Sequence, residues 1–166
     1  MRVVAALLVA VASTLVAVPV RADSADEQEI RNLESNYAKA VNAKDLDNIM
    51  KAYVPDQSLF VFDAVPPRQY VGAAAYRKDW QEFLGFLKGP VKFSISDLAI
   101  FTNGDLGYSH SIQSVSSTDS KGQPIVLNLR VTDVYKKIGG KWLIVHEHIS
   151  VPVDFETQKP DLESKP

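Results

Sequence analysis

The 166-residue chain contains no cysteine, so it can carry neither a disulfide nor a lipid-attachment thiol. It has only three histidines, and its 18 basic residues against 20 acidic ones nowhere gather into a basic block. Nucleic acid and anionic membrane surfaces are therefore poor partners on charge grounds. There is no P-loop, no dinucleotide fingerprint and no nucleophile elbow. Nothing supports a nucleotide cofactor or covalent Ser/Cys chemistry, and the expected cofactor is none. The sequence shows no internal repeat and no second domain.

What is present begins with a leader-like segment. Arg2 is followed by an almost wholly apolar run, Val3 to Val20, interrupted by Ser13, Thr14 and Pro19. "VRA" then places Val and Ala where a cleavage site wants small residues, and "DSADEQE" follows at once. This reads as a signal peptide over residues 1–22, cut between Ala22 and Asp23, which implies a periplasmic or secreted protein with no membrane attachment after cleavage. The alternative is a retained anchor, because the run approaches a spanning length. The remaining chain, Asp23 to Pro166, suits one domain with a real core. Losing Arg2 and Arg21 leaves it with a net charge of −4, mildly acidic.

Apolar positions Ile30, Leu33, Tyr37, Ala40 and Val41 recur at steps of three and four and predict a helix over residues 26–41, capped by Ser24 or Asp26. "NAKDLDNIMKAYVP" predicts a second, short helix capped by Asp45. Tyr76, Trp80, Phe83, Leu84 and Leu87 predict a third within residues 72–87. "SLFVFD" reads as a strand, with a short return near residues 69–71. "VKFSISDLAIF", "LGYSHSIQSVSS", "PIVLNLRVTDVYKK" and "KWLIVHEHISV" read as strands of a meander joined by Gly- and Asn-containing turns. Three N-terminal helices followed by a long meander imply an α+β domain. The helices pack on one face of a strongly bent, mainly antiparallel sheet that curls into a cone with a pocket at its open end. Residues 154–166 read as a polar, flexible tail.

Three segments, "YAKAVNAKDLDNIM", "FDAVPPRQYVG" and "RVTDVYKKIGGKWLIVHEHIS", resemble the SnoaL-like, or nuclear transport factor 2-like, superfamily from about Ile30 to Val153, which implies one such domain over residues 23–153. The first two are similar to parts of bacterial ketosteroid isomerases. The third is similar to the terminal hairpin of the calcium/calmodulin-dependent kinase association domain. The resemblance implies the cone fold but no single activity, since the superfamily holds isomerases, dehydratases, cyclases, epoxide hydrolases, adaptors and assembly modules. The isomerase likeness implies a catalytic set of Tyr37, donating to a developing enolate oxygen, Asp63, shuttling the proton, and Asp133, near the position of a carboxylic acid kept protonated. A carboxylate in an apolar cavity is a usable base, and a phenol with a neutral acid can hold an oxyanion without adding charge. Against this, Tyr37 can be a core residue and Asp63 a turn cap.

"KWLIVHEHIS" holds His146 and His148 two apart, with His110 in "GYSHSIQS" as the third histidine. In a regular strand both histidines share a face with Trp142 and Ile144, while Glu147 shares the other with Leu143, Val145 and Ile149. If the Trp142 face is concave, the histidines line the pocket, and Arg130 and Thr132 face them. If the Val145 face is concave, Glu147 enters the pocket and the histidines lie outside, where the superfamily dimerises. The isomerase likeness favours the second, and no metal is expected. Trp80 and Glu147 join His110, Arg130, His146 and His148 as candidate pocket residues, and Arg68 reads as a solvated rim residue. Apolar residues on both faces of the last two strands imply that a second copy covers the outer face. The resulting expectation is an exported domain that binds a small apolar carbonyl compound and, if catalytic, performs cofactor-free isomerase or lyase chemistry. The rivals are a non-catalytic binding or oligomerisation module and a metal enzyme using the three histidines.

Overall fold

Ser24 opens the first helix, α1 (Ala25–Asn42), with a reciprocal cap. Its hydroxyl accepts from the Glu27 amide at 3.1 Å, and the Glu27 carboxylate accepts from the Ser24 amide at 2.7 Å. Such a cap is worth about 1 kcal/mol. The computed structural model describes residues 24–164, and the leader expected over residues 1–22 lies outside the described residues. The predicted stripe Ile30, Tyr37, Ala40 and Val41 is buried, but Glu27 and Glu34 are buried with it. Asp45 caps α2 (Leu46–Met50), accepting from the Asn48 amide at 3.1 Å. The third helix, α3 (Ala73–Phe86), starts after Gly72, whose φ of +87° favours glycine and whose absent Cβ would collide with the Gln57 side chain.

The sheet contains β1 (Phe60–Phe62), β2 (Tyr70–Val71), β3 (Lys92–Asn103), β4 (Leu106–Thr118), β5 (Pro124–Ile138) and β6 (Lys141–Ser150), in the order β2-β1-β6-β5-β4-β3. Among the described strand pairs only β1 on β6 is parallel, so the sheet is mainly antiparallel, as the α+β reading requires. Register shifts fall in β3 between Ser96 and Ala99, and in the β5–β6 ladder at Val134/Tyr135. Extra residues at such points bend a strand and increase its twist, and here they curl the sheet around the helices.

The second bulge settles which face is concave, because strict alternation fails there. Val134 pairs with His146 and Tyr135 with Ile144, so Val145 is the extra residue. Trp142 and Ile144 therefore share the inner face with Glu147, and His146 and His148 are turned outward. Neither sequence alternative is fully right, although the one that placed Glu147 inside and the histidines outside is right beyond the bulge.

The segment expected to be a flexible tail is also corrected. Val153–Asp154 (β7) and Lys159–Pro160 (β8) form a small hairpin. The chain then returns to β5, where the Asn128 amide donates to the Leu162 carbonyl at 2.7 Å and the Asn128 side chain donates to the Glu163 carbonyl at 3.1 Å. The folded unit therefore extends at least to Ser164. The turn chemistry, Asp154 accepting from the amides of Glu156 and Thr157, is local, but the contact that holds the hairpin down is with a distant strand.

Candidate active site

A cavity of about 320 Å³ lies between α3 and the concave face of the sheet. The stripe Tyr76, Asp79, Trp80 and Phe83, spaced at three and four residues, forms its roof. Tyr37 of α1 and Phe93 of β3 close its side, and Gln113, Leu129 and Ile149 form its floor. Asp63, just past β1, stands at its edge, and Pro160 and Leu162 of the C-terminal hairpin close the remaining wall. Tyr37 meets Trp80 edge-on at 5.9 Å and Phe93 at 5.7 Å, so the walls are held by aromatic packing. The volume suits a compact molecule of one or two rings.

Charge in the cavity is one-sided. Among the described residues, Asp63 and Asp79 line it and no lysine or arginine does. Burial, and then the charge of Asp79, push the Asp63 carboxyl up to about 6, against which the amides of Val65 and Ala64 work weakly. Burial also raises Asp79, opposed by the Tyr70 hydroxyl that donates to it at 2.6 Å. Burial, and then the nearby Glu147 charge, hold the Tyr37 phenol well above its ordinary range, so it stays a neutral donor.

Behind the cavity sits a second polar layer, wholly enclosed. Tyr53 donates to Glu147 Oε1 at 3.1 Å, and Tyr76 donates to Glu147 Oε2 in a shorter bond. Glu34 accepts from Tyr135 at 2.8 Å, and Tyr135 in turn accepts from Ser109 at 2.8 Å. Desolvation pushes Glu147 up to about 8 and Glu34 up to about 7, and holds Asp133 well above the ordinary carboxyl range. Burial favours the protonated, neutral form of all three groups in the core.

The structure thus sorts the predicted residues. Tyr37, Asp63 and Trp80 come together on one cavity. Asp133 and Glu147 lie beneath it in the enclosed layer; Tyr76, which lines the cavity, is bonded to Glu147. His110, Arg130, His146 and His148 do not reach the cavity, because all four lie on the convex face. The His146 Nδ1–H donates to the Phe60 carbonyl at 2.8 Å, and the His148 ring packs on Phe62 at 5.4 Å. Thr132 separates His110 from His148 across β5. Two strand spacings, about 10 Å, are too far for one metal ion. Arg68 is exposed and bonded to Gln69, outside the cavity.

Sequence reasoning missed Asp79 and Gln113. Asp79 was detectable as the one acid on the apolar stripe of α3. Gln113 was not, because β4 carries serines on both faces and offers no polarity contrast. Two buried nitrogens here, Trp80 Nε1 and Gln113 Nε2, have no hydrogen-bond partner among the described residues, nor has Asp133 Oδ1. Each such group costs about 1–3 kcal/mol when left unpaired.

No curated protein matches the sequence. Among solved structures, an NTF2-like protein of unknown function from Pseudomonas putida KT2440 is 34% identical. The match covers 86% of this chain and 97% of that one, with a TM-score of 0.77. A Xanthomonas campestris structure named provisionally as a calcium/calmodulin-dependent protein kinase II association domain is 21% identical over 81% of this chain and 91% of that one, with a TM-score of 0.65. A Novosphingobium aromaticivorans DSM 12444 structure named provisionally as a scytalone dehydratase is 17% identical over 75% and 82%, with a TM-score of 0.66. The last two likenesses are of fold alone. Residues 30–154 match the family described as SnoaL-like domain. The chain, with its helices, bent sheet and concave cavity, belongs to the SnoaL-like family of the NTF2-like superfamily.

Proposed function

We propose that this protein binds a small, neutral, mainly apolar ring compound in the concave cavity and catalyses cofactor-free proton transfer next to its carbonyl group. Asp63 is the base in this reading, and Tyr37 is a neutral hydrogen-bond donor on the same wall. The observation that carries it is the placing of Asp63, pushed up to about 6, on an aromatic cavity that also holds Tyr37 and no basic side chain. A carboxyl titrating near 6 is ionised at neutral pH yet holds a proton well enough to return it. The absence of a cation on the wall disfavours an anionic substrate, since Asp63 and Asp79 would repel it.

The test follows α-proton exchange of 1-tetralone in D₂O by NMR. Wild-type protein is expected to accelerate exchange, and Asp63→Asn to lower the rate at least about 100-fold with the fold intact. An unchanged rate in that variant removes the assignment.

Two further elements belong to this reading. The protein is exported, with Asp23 as its mature N-terminus, which N-terminal sequencing of the periplasmic or secreted fraction checks. It forms a homodimer through the convex face, where Phe101 and Tyr108 stack in the open at 4.8 Å beside Val134, His146 and Phe60. A mainly apolar row across five strands, with Phe101 and Tyr108 exposed, is unusual on a monomer surface. Light scattering should give twice the chain mass and Tyr108→Lys the single mass; a wild-type monomer contradicts the dimer.

A further inference from the structure

The chain has three histidines, and all three stand on the convex face. Cross-strand register sets them in two neighbouring rows. One row runs Tyr108, Val134, His146 and Phe60, and the other His110, Thr132, His148 and Phe62. Each imidazole lies near an aromatic ring of the same face. Ring centres are 6.3 Å apart for His110 and Phe101, 5.6 Å for His146 and Phe62, and 5.4 Å for His148 and Phe62. A proton taken up by any of them therefore puts charge within the apolar surface and not at its rim.

No carboxyl of the sheet strands answers that charge. The acids of β1 to β6 are Asp97, Asp133 and Glu147. Asp133 and Glu147 are buried on the concave side, and Asp97 sits in the bulge of β3 between Ser96 and Ala99, beyond the His110 row. The charged residues flanking the two rows are Arg130 on one side and Lys136 on the other, both cationic. β1 contributes only Phe60 and Phe62 to the rows, and β4 adds the Tyr108 phenol. From Asp23 onward the chain carries a net charge of −4. Two copies therefore meet with least carboxyl repulsion through the face that lacks acids. A two-fold interface uses the same patch twice, so each imidazole is joined by its copy within one contact.

We propose that protonation of His110, His146 and His148 opens the dimer, which makes the convex face an acid-sensitive interface between two copies of this chain. The proposal rests on the dimer reading above and adds to it what controls the contact. Imidazole is the side chain whose charge ordinarily changes between pH 5 and 8. Neutral imidazoles pack among phenylalanine and tyrosine rings. Charged ones must be stripped of water and set against like charge, with no carboxylate to compensate. Acid acts in the opposite sense on the molecule as a whole, since protons taken up move its net charge from −4 towards zero and lower long-range repulsion. A dimer that loosens in acid is therefore a property of this face.

Light scattering and sedimentation at pH 7.5 and 5.0 test this, with near-UV circular dichroism reporting the fold. The dimer dissociation constant is expected to rise at least about 30-fold at pH 5.0 with the dichroism unchanged. His110→Gln combined with His148→Gln, both at exposed positions, should keep the dimer at pH 7.5 and lose most of that rise. At pH 5.0, raising NaCl from about 0.05 M to about 0.5 M should tighten the wild-type dimer at least about fivefold, and much less at pH 7.5, because salt screens like charges. Equal constants at both pH values overturn the proton control and leave the dimer standing. An undiminished rise in the double variant does the same, and so does loss of the dichroism at pH 5.0. A wild-type monomer at pH 7.5 overturns the dimer and this proposal together. The salt comparison needs only wild-type protein, so it decides the matter even where the double variant fails to fold; no tightening at pH 5.0 overturns the proposal.

Discussion

Asp133 and Glu147 are directly opposite cross-strand partners on β5 and β6, each 1% exposed, with no cation among the described residues hydrogen-bonded to either. With Glu34 they make three enclosed carboxyls, all raised chiefly by burial. The folded protein therefore keeps protons that the unfolded chain releases above the ordinary glutamate value of 4.5. A raised folded value means stability that is fully present below that point and is lost as pH rises. The loss should run through about 7 for Glu34 and about 8 for Glu147. Each retained proton contributes a slope of about 1.4 kcal/mol per pH unit. Urea unfolding at pH 5, 6, 7 and 8 should show stability falling steadily, and Glu147→Gln should flatten the fall. Stability that rises over this range contradicts protonated carboxyls in the core.

Tyr76 links the enclosed layer to the cavity, since its ring lines the cavity while its hydroxyl donates to Glu147. Tyr76→Phe should cost about 1–3 kcal/mol. The cost should be larger at pH 8 than at pH 5, because a bond to an ionised acceptor is the stronger one. Denaturant titrations at both pH values check this, and an equal cost at both would count against the assigned bond.

Asp63 must lose its proton before it can act as a base. The exchange rate should therefore rise with pH to a plateau, with its midpoint near the value of about 6 that burial and Asp79 give it. Asp79→Asn removes a neighbouring negative charge, favours the Asp63 carboxylate and should move the midpoint to lower pH. A pH-rate profile of both proteins checks the direction, and a shift upward contradicts the electrostatic pairing.

The C-terminal hairpin supplies Pro160 and Leu162 to the cavity wall. Truncation after Asp154 should weaken 1-tetralone binding by about 3- to 10-fold, the scale of one partly buried apolar contact, mainly through faster release. Stopped-flow binding of full-length and truncated chains measures this. Unchanged release rates would show the hairpin to be irrelevant to the site.

Much of this architecture was readable in the sequence because helical and strand periods carry the apolar pattern directly. The α1 stripe pointed Tyr37 inward, and the short apolar strand ending at Asp63 delivered that carboxyl to the cavity edge. The bulge at Val145 was hidden, since one extra residue leaves no mark in a run that is apolar on both faces, and the histidines could not be assigned a face without it. Glu34 and Asp79 were visible as acids on apolar stripes but unread. The hairpin at the C-terminus depends on Asn128, a contact made only in the folded chain, so its composition suggested a loose tail.

A crystal structure of the protein grown with 1-tetralone measures the central claim most directly. It should show the bicycle between Trp80, Phe83 and Phe93, with an α-carbon about 3–3.5 Å from an Asp63 carboxyl oxygen. The compound bound only on the convex face, or a cavity closed by its own side chains, would contradict the account.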